Sequence, residues 1–106
     1  MAIDPNRRFM LQDKLELILG SNKVYYNPPD GQKISYPCII YNLEGEDIDR
    51  ANNARYRAMN RYSITIIHRD ADSTICNDIL DSFEYTSFNR QFKNDNLYHD
   101  VITLYY

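Results

Sequence analysis

The chain has no tryptophan, only 3 glycines and 4 prolines, and just 2 cysteines in 106 residues. So little Gly and Pro argues against a low-complexity chain, and 43% hydrophobic residues argue against disorder. There is room for one domain with one modest core, and no more. The longest uncharged apolar stretch, around Pro37–Tyr41, is far shorter than the roughly 20 residues a membrane helix needs. The basic start, ending Arg7-Arg8, is followed by no apolar run, so no signal peptide is expected and the cytoplasm is the predicted place of synthesis. Cys38 and Cys76 sit in separate apolar segments, outside any CxxC or zinc-type spacing. They are expected to be reduced core residues rather than a disulfide. A net charge of −3 supplies no field that would recruit nucleic acid or an anionic membrane.

What the chain does have is tyrosine, 10 of them. Tyrosine offers rigid contact area with a polar tip and is enriched where proteins meet. Such residues also cover half-buried strand faces, so each taken singly is ambiguous.

Periodicity predicts the order α-β-β-β-α-β-β, an α+β domain with an antiparallel or mixed sheet of about five strands flanked by two helices. The first helix opens with Asp4 as cap and Pro5 at the first position. Leu11, Leu15, Ile18 and Leu19 form its stripe, and Gly20 ends it. Lys23–Tyr26 is a short strand, and Asn27-Pro28-Pro29-Asp30-Gly31 a turn. Tyr36–Tyr41 reads as a central strand and Arg61–His68 as the clearest strand, with Tyr62, Ile64, Ile66 and His68 on one face. A second helix is expected to be capped by Asp72 or Ser73 and to bury Ile75, Ile79 and Leu80. Two closing strands flank the turn Asn94-Asp95-Asn96, the first with Thr86, Phe88, Arg90 and Phe92 on one face.

The stretch at about 43–60 has no apolar period and is expected to be a long charged loop. Its charge falls into blocks: Glu44, Glu46, Asp47 and Asp49, then Arg50, Arg55, Arg57 and Arg61, with Tyr56 among them. Arginines interleaved with tyrosines suit single-stranded nucleic acid, but the acidic block lies within a Debye length of about 8 Å and opposes that field. Separate blocks of both signs fit charge pairing with a neighbouring subunit better; a solvated mobile loop is the plainer alternative.

Catalytic chemistry finds little footing. His68-Arg69-Asp70-Ala71-Asp72 suggests metal ligands, but strand residues alternate in direction and a helix-capping turn explains the aspartates. His99-Asp100 cannot form a dyad, because adjacent strand residues face opposite sides. There is no dinucleotide or phosphate loop and no zinc-protease signature. No enzyme, cofactor or metal is expected.

Several pieces in order resemble the tail-terminator, or tail-completion, proteins of long-tailed bacteriophages of siphophage or myophage type. They are Tyr36-Pro37-Cys38-Ile39-Ile40-Tyr41, then Arg61-Tyr62-Ser63-Ile64-Thr65-Ile66-Ile67 with Arg69-Asp70. Ser87-Phe88-Asn89-Arg90 and Asp95-Asn96-Leu97-Tyr98-His99-Asp100 follow. The similarity spans nearly the whole chain, and Ala71 stands where the family often has Pro. The resemblance implies a virion protein at the head–tail junction, forming a homo-oligomeric ring, typically of six subunits. Such a ring caps the head-proximal end of the tail tube and joins it to the head, so its partners would be the tube protein and a head-completion or connector protein. DNA would pass through it without being specifically bound. The alternatives are a head-closure or connector adaptor of the phage neck and a small binding module working alone. The expected contact residues are Glu44, Glu46, Asp47, Asp49, Arg50, Arg55, Tyr56, Arg57, Arg61, Tyr105 and Tyr106.

Overall fold

The computed structural model describes residues 5–51 and 54–106, with the backbone course alone for residue 5 and for 46–51 and 54–59. The elements follow the order α1 Pro5–Leu19, β1 Val24–Tyr26, β2 Cys38–Ala51, β3 Ala54–His68, α2 Ile75–Ser82, β4 Thr86–Asn94 and β5 Leu97–Tyr105. The expected α+β order therefore holds. The Asp4 cap lies outside the described residues.

The five strands form one mixed sheet in the order β1-β2-β3-β5-β4. β1 runs parallel to β2, with Val24 beside Ile39, and every other pairing is antiparallel. β3 holds the sheet together because its alternating Ile64 and Ile66 face the helices while Ser63 and Thr65 face away. Ile39, Tyr41, Tyr62, Ile64, Ile66, Ile102 and Leu104 build one buried cluster with Leu11 and Leu15 of α1 and Ile79 of α2. Both helices thus cover one face, and among the described residues the other face carries no helix.

The amphipathic stripe of α1 is as predicted, but the helix is apolar elsewhere too. Phe9 and Met10 are half exposed and Leu17 is 83% exposed, outside the core. Its C-terminus stops where Gly20 adopts φ 81°, with Gly20 N donating to Glu16 O at 2.9 Å. α2 begins later than expected, at Ile75. Asp70 Oδ1 instead accepts from Asp72 N at 2.9 Å, and Ser73 Oγ accepts from Ile75 N at 3.4 Å, so these side chains organise the turn before the helix.

Two expectations are corrected. The segment at about 43–60 is no loop: β2 and β3 pair through it, from Leu43 opposite Tyr62 to Ala51 opposite Ala54. The segment lacks an apolar period, and over Glu46–Ala51 and Ala54–Asn60 the two strands have only each other as strand partners among the described residues. The alternation in β4 is also broken. A bulge between Phe88 and Arg90 places Phe88 opposite Ile102 and Arg90 opposite Val101, so Phe88 and Arg90 lie on opposite faces.

Candidate interface: a two-stranded ribbon and its base

β3 has two strand neighbours only over Arg61–His68, where β5 lies alongside. β2 has its second neighbour, β1, only over Ile39–Tyr41. From Glu46 to Ala51 on β2, and from Ala54 to Asn60 on β3, the pairing among the described residues is therefore a two-stranded ribbon. At about 3.3 Å per residue it extends roughly 20 Å beyond the sheet. Its length shows in the molecule's extents, 49 × 25 × 22 Å, and in a radius of gyration of 14.7 Å. A compact domain of this length would have about 13 Å.

Two bulges shape the ribbon. The register skips Glu44 between Leu43 and Gly45, and skips Tyr56 where Asp49 pairs with Arg57 and Arg50 with Arg55. Each extra residue bends and twists the strand that carries it. At the first bulge a Cβ on residue 45 would lie 3.0 Å from the Arg61 Nη2 atom, so Gly45 makes room for the guanidinium across the ribbon base. Near the tip, Arg50 and Arg55 are register partners. Like charges directly opposite disfavour a hairpin on its own, unless an acidic group from elsewhere joins them.

Of the expected contact residues, Glu44, Arg61 and Tyr105 come together. They border a depression of about 460 Å³ on the helix-free face, with Ser63, Arg90 and Thr103. It spans the sheet from the base of the ribbon to β4. Glu46, Asp47, Asp49, Arg50, Arg55, Tyr56 and Arg57 follow one another along the ribbon backbone; their side chains are outside the described residues.

Tyr106 is engaged inside the subunit instead. Its ring takes Arg7 at 4.6 Å and Lys14 at 4.7 Å over its face and packs edge-on against Phe83. Its carbonyl accepts from Arg7 Nε at 3.1 Å. The chain end thereby ties α1 to the sheet.

The tyrosines divide in the same way. Tyr41 and Tyr62 are fully buried and pack in series with Tyr26, tilted at 4.9 Å for Tyr26–Tyr41 and edge-on at 5.9 Å for Tyr41–Tyr62. The Tyr41 hydroxyl donates to Gln12 Oε1, and Arg8 Nη1 donates to it at 3.3 Å. Burial pushes both phenols above their ordinary value of 10.0, only partly countered by hydrogen bonds and Arg8. These two tyrosines belong to the core, not to a contact surface.

One polar cluster was not anticipated from the sequence. His68 Nε2 lies 2.7 Å from Asp100 Oδ2, both side chains being only 4% exposed. Gln91 Nε2 donates to the other carboxylate oxygen at 2.6 Å, and Tyr98 stacks on the imidazole at 5.6 Å. His68 Nδ1 is buried without a hydrogen-bond partner among the described residues. His99 points to the opposite face and stacks on Phe92, as strand alternation requires. The nearby Cys76 thiol is pushed up to about 11, by burial first and by Asp100 second, so at neutral pH it is a protonated thiol and a poor nucleophile. The arrangement fastens β3 to β5 and β4. Among the described residues no group of three or more His, Cys, Asp or Glu could hold a metal ion.

Among the described residues no helix is long and apolar enough to cross a membrane. No family model matches the chain, and no curated protein matches it.

Proposed function

We propose that this chain is the repeating subunit of a ring that ends the tail tube of a long-tailed bacteriophage and offers the surface to which the head joins. The observation that carries the reading is the ribbon. A two-stranded hairpin is marginal in water by itself, and one with two bulges and two arginines in register is more so. Such an arm is stabilised when a second surface covers it. The segregation of carboxylates on β2 and arginines on β3 makes its two strands chemically different, which suits a head-to-tail contact in which one patch meets another. Head-to-tail contacts close into rings when the rotation between subunits allows it. The negative net charge fits a pore through which DNA moves without adhering. The sequence resemblance to tail terminators supplies the tube end as the place of that ring.

The purified full chain is expected to assemble into a closed oligomer, six subunits of 12.6 kDa each on the family pattern. Native mass spectrometry with negative-stain microscopy checks this. One discrete closed species with a central hole supports the reading, and a monomer at every concentration tried contradicts it.

A further inference from the structure

The sheet has free edges on both sides. Among the described residues, β2 beyond Asn42 has no strand on its outer edge on one side, and β4 is the last strand on the other. β4 is exposed in every residue after Thr86, including Phe88 at 51%. Unpaired edges of this length are templates for another strand; charges along an edge discourage pairing with an edge of like sign and leave one of opposite sign as the complement.

The charges here are selective. The outer part of β2 carries Glu44, Glu46, Asp47 and Asp49 against the single Arg50. β4 carries Arg90 and Lys93 and no acidic residue. The third free edge, the ribbon part of β3, carries Arg55 and Arg57 and is closed at its base, where Tyr106 N donates to Asn60 O at 2.9 Å. Pairing β4 with a second β4 would set Arg90 and Lys93 against their own copies, and pairing it with the β3 edge would set them against Arg55 and Arg57. Both are repulsive, and such repulsion is what excludes a wrong partner. The outer edge of β1, Val24–Tyr26, carries no charge, so among the charged edges the acidic β2 edge is the complement left for β4.

We propose that adjacent copies of this chain join by strand addition, the acidic outer edge of β2 in one copy pairing with the basic edge of β4 in the next. This deepens the ring reading and rests on it. Because β2 and β4 lie on opposite sides of the same sheet, each copy uses one edge to receive and the other to donate. The contact is therefore heterologous and propagates one sheet from subunit to subunit. It also places the ribbon of one copy along the neighbour's β4, where Arg90 already borders the depression shared with Glu44 and Arg61. Main-chain hydrogen bonds hold the joint, and the charge pattern sets direction and partner.

The test is a charge exchange in the full-length protein, read by native mass spectrometry at low salt. Circular dichroism melting shows in parallel that each variant is folded. The variant Arg90→Glu/Lys93→Glu is expected to be a folded monomer while the wild type is a ring. Adding Glu46→Lys/Asp47→Lys in the same chain restores attraction and is expected to restore the ring. Alanine at 90 and 93, a milder change, is expected to raise the subunit concentration needed for assembly at least about tenfold. A ring that survives the reversal overturns this contact and leaves the ring reading standing. A reversal that abolishes the ring without rescue by the four-site exchange overturns β2 as the partner strand. A wild type that never assembles overturns both.

Discussion

Asp100 is where a single side chain controls most. It accepts from Gln91 and pairs with His68 in a place almost closed to water. Asp100→Ala would leave the His68 imidazole with neither ring nitrogen hydrogen-bonded within the described residues. Leaving such a buried group unpaired costs about 1–3 kcal/mol, and the strand-to-strand bond from Gln91 is lost with it. Asp100→Ala is therefore expected to lower stability by at least about 2 kcal/mol in urea unfolding. A change under about 0.5 kcal/mol, the range of ordinary surface substitutions, would contradict the bracing role.

The buried thiols and phenols give a second residue-scale consequence. Burial pushes Cys38 and Cys76 from their ordinary 9.0 to about 11 and raises Tyr41 and Tyr62 as well; Lys23 slightly opposes the rise at Cys38. A folded-state value above the unfolded one means that the stabilisation is complete below about pH 9 and is lost as pH rises through about 11. The melting temperature is expected to hold from pH 7 to 8.5 and to fall steeply from 9 to 11. At pH 8 both thiols should resist an aromatic disulfide reagent until urea is added. Rapid reaction in the native state would contradict their burial.

Among the elements, those that bury an apolar face were legible in the sequence. The Leu11–Leu15 stripe, the alternation through Ile64 and Ile66, and the paired closing strands each carry the period that a buried face imposes. The ribbon was not legible as strand, because period-2 patterning is the signal by which a strand is read and the residues beyond Leu43 carry no such alternation. The charge segregation that made Glu44–Arg61 a candidate contact was visible all the same, since it does not depend on conformation. The β4 bulge hid for a different reason: one inserted residue leaves the local sequence unchanged while it turns every later side chain over. The His68–Asp100 pair depends on register between strands 32 residues apart in the chain, which no local window contains.

The ribbon as an element makes its own prediction. Asp49 and Arg57 are register partners, and Arg55 faces Arg50. Arg57→Glu would set a carboxylate opposite Asp49 and add negative charge beside the acidic β2 edge, so the ribbon should open while the core, built elsewhere, stays intact. Ring formation is expected to be lost with the melting temperature within about 3 °C of wild type, since only marginal hairpin structure is given up. Unchanged assembly would remove the ribbon from the contact.

At the scale of the whole molecule, the shape carries the functional reading. One end is a two-layer α/β body whose core needs no partner. The other is an arm that extends away from it, and the sheet between them is open along both edges. A body that is complete joined to an arm that is not suits a part of a larger closed assembly. The helix-free depression and the exposed Phe9, Met10 and Leu17 of α1 lie on separate parts of this body, so neighbours in a ring and partners along the tail axis could be met by different surfaces. The most direct measurement is electron microscopy of a lysate from the phage with this gene deleted. The tail-end role predicts tail tubes longer than wild type beside filled heads without tails. Tubes of normal length beside empty, leaking heads would contradict it and move the protein to the head side of the junction.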